Sequence, residues 1–430
     1  MSFVYLVILR SLEIRGTQRV ALDYAEALRG EFEAKVTFVS VEADGPLLAK
    51  LRSLDYHHVC TSDFNADLLQ TSPDLIHVHR EGWADITLNA MLVGLRRMFP
   101  NAVILETNVF ARVDYKIPRG VIDAHLQLTR YSLRKWANLA RASKGGTGVY
   151  LPYCSDIERF RILKGEERRS ARRAKGLAEG AVVIGRIGAP SQSKWHSITV
   201  KSFEAIATSD PGVQLYLVGP PPSVRSQVDA LAADVRSRVV IEDFINGDSA
   251  LCEAYGVIDV FAHGAEIGES FGMVLLEAML CGVRIVTLAT PLHDNAQVEV
   301  VGNSPGGRVA WSEAAFESIL WHLVEEVKKE GGSLSLQIRS SAVKEFGKQV
   351  VSDRLVLLYG LLKAQKVRPV DLQAQGFDCA YSGSTGGPCL PIEVRGATRL
   401  LYCLVNQPWI YRFYSNVCLP LKIRLYRLKK

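Results

Sequence analysis

The sequence predicts an α/β protein built from two doubly wound halves, each a mostly parallel sheet with helices on both faces. Three observations carry that expectation. Short apolar runs alternate with stretches of helical periodicity along most of the chain, the pattern of a parallel sheet joined by crossover helices. At 430 residues the chain is too long for one core, so two domains are expected. A polar, strongly basic stretch at 159–175 interrupts the alternation and reads as part of a linker near 152–175. A crevice between the halves is then the default ligand site.

In the first half, Phe3–Leu9 is a continuous apolar run and a strand. The polar turn Arg15-Gly16-Thr17-Gln18 follows, then Val20, Tyr24, Ala27 and Leu28 at helical spacing, then a strand over Lys35–Val41. This βαβ unit carries a glycine at the end of its first strand, where doubly wound sheets bind ligands. It lacks the GxGxxG spacing of a dinucleotide fingerprint. Leu75–His79, Ala102–Leu105, Leu126–Leu128 and Val149–Leu151 read as further strands, with helices over Ile86–Met98 and Ser132–Arg141. His79 ends its strand in the sequence IHVH and is expected to face the crevice.

The second half offers Val182–Ile187, Val213–Val218, Val239–Ile241, Val257–Ala262 and Arg284–Leu288 as strands. Its most informative stretch is Glu269–Gly282, read ESFGMVLLEAMLCG. A turn holding Gly264, Gly268 and Gly272 leads from an apolar strand into a helix over Met273–Leu280. Strand, glycine turn and helix start together present free backbone N–H groups to an anion. Glu277 lies within that apolar helix, where a buried carboxylate needs a partner the helix cannot supply. A pair of ligand hydroxyls answers that need.

Ile338–Lys363 reads as one long helix, with Phe346, Val350, Leu355, Leu358 and Leu362 along one stripe. Val367–Pro391 is rich in Gly, Pro and Ser and reads as a linker or loop. Ala397–Lys430 interleaves Leu, Tyr, Trp and Phe with Arg and Lys. The expected domains are therefore 1–155, 156–335, a helix at 336–365 packing back on the body, and a basic aromatic extension at 366–430.

Charge follows the same division. The chain carries a net +6, yet ten basic and only three acidic residues lie from Lys366 onward, leaving 41 against 42 before it. The main domains thus lack the basic balance of a nucleic-acid binder, and no nucleic-acid partner is expected. The tail could lie on an anionic membrane surface, with Trp409, Tyr411, Phe413 and Tyr414 at the interface. Pro408 and Pro420 break it into short segments. Packing of the tail on the body is the competing reading. The eight cysteines (Cys60, Cys154, Cys252, Cys281, Cys379, Cys389, Cys403 and Cys418) contain no CxxC pair, so free thiols are expected and a zinc site is not. No apolar run approaches the ~20 residues of a spanning helix. With no signal peptide legible at Phe3–Leu9, a cytoplasmic protein, peripheral on the inner membrane face, is expected.

The order of these motifs resembles the retaining GT-B glycosyltransferases of the GT4 family, also called glycosyltransferase group 1. Glu269, Phe271, Gly272, Glu277-Ala278-Met279 and Cys281-Gly282 match that family's Glu-x7-Glu element. GRIGAPSQSKW resembles its Gly-Arg…Lys segment, with Arg186 and Lys194 at the diphosphate-binding positions. DNAQVEVV followed by Gly306-Gly307 resembles the end of its donor domain, and LPYCSDIERF keeps Pro152, Asp156, Arg159 and Phe160 of its linker. A common proline two positions after Gly282 is Arg284 here, a departure read as structural. The likeness covers about residues 1–365 and is strongest across 181–310.

The resemblance implies two Rossmann-like domains, acceptor first and donor second, with a nucleotide-diphosphate sugar as donor substrate and no cofactor or metal. Arg186 and Lys194 would stabilise the departing diphosphate, helped by a helix dipole worth about half a positive charge. Glu269 would meet the transferred sugar and Glu277 the ribose, with Phe271, Gly272, Met273 and Val274 closing the cradle by their backbone. Gly16 would approach the diphosphate from the first domain. Asn108 stands where some members carry a catalytic histidine; it and His79 are candidate acceptor or donor contacts. Retention implies front-face transfer with the leaving diphosphate as base. A glycan or lipid-linked acceptor, in cell-envelope polysaccharide or lipopolysaccharide synthesis, fits the basic tail. Two rivals stand beside this reading: a nucleotide-sugar-binding protein that has lost transfer, and an epimerase acting on the nucleotide sugar alone. A glutamate pair eight apart is by itself a chance event; order, spacing and strand-end placement together give it weight.

Overall fold

Apolar runs too short for helices become the strands of two parallel sheets. The computed structural model describes residues 3–13, 16–61, 72–140, 146–245, 247–364, 369–381, 401–404 and 406–414. It divides into one unit of 1–154 with 348–430 and another of 155–347.

The first unit runs β1 (Val4–Ser11), α1 (Gly16–Phe32), β2 (Lys35–Ala43), α2 (Leu47–Ser53), β3 (His57–Cys60), β4 (Leu75–Arg80), α3 (Ile86–Met98), β5 (Val103–Asn108), β6 (Ala124–Gln127), α4 (Arg130–Ala140) and β7 (Thr147–Tyr150). Its strands lie in the order β7-β6-β5-β4-β1-β2-β3, all parallel. Leu6, Ile8, Val39, Ile76, Val78 and Ile104 present one face of this sheet to Leu88, Met91, Leu92 and Leu95 of α3. That helix starts where the Asp85 carboxylate accepts from the Leu88 amide at 3.0 Å, a side-chain cap. On the opposite face, His77 shares hydrogen bonds with Tyr5 (3.1 Å) and Thr107 (2.7 Å), while His79 lies 4.2 Å from it, ring to ring.

The second unit begins with α5 (Gly165–Ala174), inside the stretch expected to be a linker. Two of the charges there are drawn into the fold. Arg168 and Arg172 both bind the Asp259 carboxylate at 2.6 Å, and that carboxylate also accepts from the Val183 amide, so the helix is fastened to the sheet. The chain continues through β8 (Val182–Ile187), α6 (Ile198–Ser209), β9 (Val213–Val218), α7 (Pro222–Asp229), α8 (Ala233–Arg236), β10 (Val239–Glu242), α9 (Asp248–Gly256), β11 (Val260–His263), α10 (Met273–Leu280), β12 (Arg284–Leu288), α11 (Gln297–Gly302), β13 (Gly307–Ala310), α12 (Glu313–Glu330) and α13 (Ser335–Phe346). Sheet order is β10-β9-β8-β11-β12-β13, again parallel throughout. The strand expected at Val257 starts only at Val260, because Val257 closes α9 as its C-cap. In each sheet the order reverses beside the first strand, between β1 and β4 and between β8 and β11, which is where open α/β sheets bind ligands.

The single C-terminal helix expected over Ile338–Lys363 is two. Gly347 takes an extended conformation (φ −61°, ψ 139°), and a Cβ there would meet the Val343 carbonyl oxygen at 2.6 Å. Beyond that break, α14 (Lys348–Lys363) belongs to the first unit, where Lys348 pairs with Glu26 at 2.8 Å. The segment expected to be a linker contains α15 (Pro369–Ala374) and β14 (Cys379–Tyr381), which joins the first sheet antiparallel to β7. Residues 367–368 and 382–391 of it lie outside the described residues. In the tail, α16 (Pro408–Phe413) packs on the first unit. Tyr411 is buried, its hydroxyl accepting from the Val113 amide at 3.3 Å and its ring near Trp83 and Tyr115. The Asn138 amide donates to the Asn406 carbonyl oxygen at 2.7 Å. So of the four aromatics expected at a membrane surface, Tyr411 is core, whereas Trp409 and Phe413 are 70% and 60% exposed. The remainder of 397–430, at 397–400, 405 and 415–430, lies outside the described residues.

Neither ring nitrogen of His79 has a partner among the described residues, and burial holds its pKa down to about 3. The folded state therefore keeps it neutral while the unfolded chain protonates below the usual value of 6.5. This contribution is fully present above pH 6.5 and is lost as pH falls toward 3. Urea denaturation of the wild type is expected to lose about 2 kcal/mol between pH 7 and pH 5 through this group. The His79→Leu variant is expected to lose that much less over the same interval.

Candidate functional site

A cross-linked polar cluster of the second unit lies at the C-terminal ends of β8 and β11, the reversal point of its sheet. Arg186, on β8, is 1% exposed. Its guanidinium donates to the carbonyl oxygens of Ile187 and Lys194, each at 2.7 Å, and lies over the rings of Trp195 (5.2 Å) and Phe261 (5.5 Å). Burial lowers its pKa to about 10, so it stays charged at neutral pH. Arg186 thereby ties the strand end to the following 3-10 turn, Gln192–Lys194. Lys194 leaves that turn and its ammonium donates to Glu269 Oε2 at 2.6 Å.

Glu269 sits in the glycine turn before α10 and is almost wholly buried. Its amide donates to Gln297 Oε1 at 3.1 Å, and its carbonyl oxygen accepts from the Ala296 amide at 3.0 Å. His263, the last residue of β11, places Nε2 3.5 Å from Glu269 Oε1 while Nδ1 is 2.9 Å from the Thr287 hydroxyl. Burial alone would raise the Glu269 pKa; the Lys194 ammonium, with His263, overrides it and brings it down to about 2. Burial takes His263 to about 4, so the imidazole is neutral near pH 7.

Two glycines make this turn possible. Gly268 has φ +66°, and a Cβ there would come within 1.7 Å of the Asp294 carbonyl oxygen. Gly272, at φ +97°, is the N-cap of α10. The amides of Met273 and Val274 are the first in the helix and have no intrahelical acceptor. Phe271 is buried edge-on against Phe346 (5.5 Å between centroids), so its ring is core and only its backbone borders the turn. One turn further, Glu277 Oε2 accepts from the Tyr255 hydroxyl at 2.8 Å.

Arg186, Lys194, Glu269, Phe271, Gly272, Met273, Val274 and Glu277 therefore gather in one unit. The other expected contacts belong to the first unit. Gly16 opens α1, beside Thr17, whose hydroxyl accepts from Tyr153 at 3.0 Å. His79 is buried within the sheet face. Asn108 is buried too, and its amide holds its own loop: Nδ2 donates to the Arg112 carbonyl oxygen at 2.6 Å and Oδ1 accepts from the Arg112 amide at 3.1 Å. Arg284 is structural as expected, donating to the Gly331 carbonyl oxygen at 2.8 Å.

Sequence reasoning missed His263, Gln297 and Tyr255. His263 had the same signal as His79, a histidine ending a strand, here directly before the glycine turn. Tyr255 and Gln297 had none, since their roles depend on a partner 22 and 28 residues away respectively. Among the described residues no group of three or more His, Cys, Asp or Glu converges as a metal site. No helix among them is long and apolar enough to cross a membrane.

A family model described as "Glycosyl transferases group 1" matches residues 178–318. The chain is 32% identical over 133 residues to a D-inositol 3-phosphate glycosyltransferase of Actinosynnema mirum, covering 29% of this chain and 31% of that one. It is 27% identical over 238 residues to the protein of that name from Geodermatophilus obscurus, covering 52% and 50%. The chain thus spans about a third to a half of the length of these curated relatives. Among solved structures, the Anabaena HepE protein in complex with UDP aligns at TM-score 0.66 and 16% identity, over 83% of this chain and 99% of that one. Sucrose-phosphate synthase of Thermosynechococcus elongatus aligns at 0.62 and 17%, over 85% and 100%. These likenesses establish the fold, two α/β units of parallel sheet and helices as in GT-B glycosyltransferases.

Removing the ammonium beside a buried carboxylate leaves that charge uncompensated. Lys194→Met is expected to destabilise the protein by about 1–3 kcal/mol at pH 7 by chemical denaturation. The deficit is expected to shrink toward pH 4, because the unpaired Glu269 of the variant takes up a proton there while the paired one does not.

Proposed function

We propose that this chain is a retaining glycosyltransferase of the GT4 type, moving a sugar from a nucleotide-diphosphate donor to a hydroxyl of a glycan or lipid-linked acceptor. The observation that carries this reading is the Lys194–Glu269 pair at 2.6 Å, set in a glycine turn at the start of a helix whose next buried carboxylate is Glu277. A cation, a run of free amides and two carboxylates at one strand end suit a ligand with an anionic middle and hydroxyls at both ends. A nucleotide-diphosphate sugar is such a ligand. Names of the relatives and of the UDP-bound neighbour point the same way.

In this reading the bond from the sugar C1 to the diphosphate oxygen breaks, and its electrons leave with the diphosphate. The acceptor oxygen bonds to C1 on the same face, and its proton passes to the departing phosphate. Lys194, the helix start and the charge of Arg186 behind the turn offset the negative charge that develops. No metal is required for that balance. Glu269 would hold hydroxyls of the transferred sugar, Glu277 those of the ribose, and Tyr255 would keep Glu277 oriented. The first unit would take the acceptor side, Gly16 approaching the diphosphate from there and His79 and Asn108 acting through the sheet and loop they build. Cell-envelope polysaccharide or lipopolysaccharide synthesis on the cytoplasmic membrane face is the setting that fits the basic aromatic tail.

Two measurements test this. Nucleoside diphosphates are expected to raise the melting temperature of the wild type, by an amount equivalent to about 2.7 kcal/mol at one hundred times Kd. Glu269→Gln is expected to lower sugar transfer by about 100-fold or more with the fold intact. Transfer at the wild-type rate in both Glu269→Gln and Lys194→Ala would refute the site. Nucleotide binding with no transfer to any acceptor would favour the binding-only rival.

A further inference from the structure

The first unit contains a cavity of about 410 Å³ that the donor chemistry does not use. Its inner wall is Arg80, Glu106, His125 and Trp136; the loop after β5, from Arg112 to Gly120, with Ile122, Gly146 and Arg412 of α16, forms the rest. Its two carboxylates are fully engaged from within. Glu106 Oε1 accepts from Arg80 Nε at 2.5 Å, and Oε2 pairs with His125 Nδ1. Asp114 Oδ2 accepts from Arg80 (3.0 Å) and Asn89 (2.7 Å), and its Oδ1 from the Lys116 amide (2.8 Å).

All four carboxylate oxygens are therefore occupied, and the other charged groups in the lining are cations. Arg112 lies over the rings of Trp83 (4.0 Å) and Phe110 (4.5 Å) rather than against an acid. Among the described residues no carboxylate pairs with Arg112, Lys116 or Arg119. A neutral sugar needs acceptors as well as donors from its site, because each hydroxyl does both. This cavity offers charged donors with its acid oxygens already taken, a set that matches phosphate, whose oxygens accept from guanidinium and ammonium groups.

We infer that this cavity binds a phosphate group, and, resting on the glycosyl-transfer reading, that the acceptor carries it. Arg112, Lys116, Arg119 and Arg412 hold the anion, and the Arg80–Glu106–Asp114 network keeps the wall rigid and its acids silent. The same short helix that supplies Arg412 exposes Trp409 and Phe413, one turn apart, to solvent. A phosphate at a lipid surface would meet both features at once, whereas a soluble phosphate would need the cavity alone.

The test uses the full chain and two probes, inorganic phosphate by calorimetry and vesicles of phosphatidylglycerol with phosphatidylcholine by co-sedimentation. Lys116→Glu with Arg119→Glu reverses two exposed cavity charges; Lys50→Glu with Arg97→Glu makes the same change of net charge elsewhere on the unit. The cavity pair is expected to weaken binding of at least one probe by about tenfold or more, the control pair far less. Loss on phosphate alone assigns a soluble ligand. Loss on vesicles, repeated by Trp409→Ala with Phe413→Ala, assigns a lipid headgroup. Wild-type protein that binds neither probe, or equal effects of the two reversals, would overturn the cavity assignment. Stabilisation by nucleoside diphosphates separates the two readings: it should survive the cavity reversal and fall in Lys194→Ala. Its absence from the wild type would count against the donor site and leave the cavity result standing.

Discussion

Glu269 is a carboxylate in a place where burial alone would raise its pKa, and the second unit is arranged to lower it instead. Lys194 supplies the cation, His263 stands behind the other oxygen, and Gln297 holds the backbone of the same residue. Each comes from a different segment: a turn after β8, the end of β11, and α11. Only a parallel sheet whose order reverses between β8 and β11 brings those segments to one point. Glycine at 268 and 272 then lets the chain pass close to Asp294 and enter α10 in the left-handed region. The fixed charge and the open helix start are two results of the same turn.

Arg186 has a place in this scheme that differs from a side chain simply reaching for a ligand. Its guanidinium donates to two carbonyl oxygens and is enclosed by Trp195 and Phe261, while its buried Nε has no partner among the described residues. It therefore fixes the turn that presents Lys194, and adds a buried positive charge behind it. The effect of that charge on an anion in the turn is long-range rather than a contact, and in a low-dielectric surrounding such a charge still counts.

The first unit handles charge differently. Arg80 pairs with both Glu106 and Asp114 inside the wall of a cavity, and the other cations of the lining stand on a loop and on α16. That arrangement couples the tail to the body: Tyr411 is anchored in the core, and Arg412 beside it lines the cavity. The strands and helices of both units followed from hydrophobic periodicity because each is a local pattern. Ile86–Met98, Val182–Ile187, Val213–Val218, Met273–Leu280 and Arg284–Leu288 have the limits expected of them. The failures were places where a distant partner overrode local composition. The basic run at 159–175 read as part of a linker, yet Asp259 accepts two of its arginines and fastens a helix there to the sheet, and the apparent linker after 366 became an edge strand once β7 offered an open side.

The sequence by itself determined the alternation of strands and helices, the glycine turn, and the identity of the residues at that turn, because all of these depend on neighbours within a few positions. Tertiary structure alone decided how those residues are used: that Lys194 meets Glu269, that Tyr255 meets Glu277, that Arg186 faces inward, and that Asn108 holds its own loop. Such choices depend on which segments a sheet brings within about 3 Å of one another. The spacing of residues along a chain carries no record of that distance.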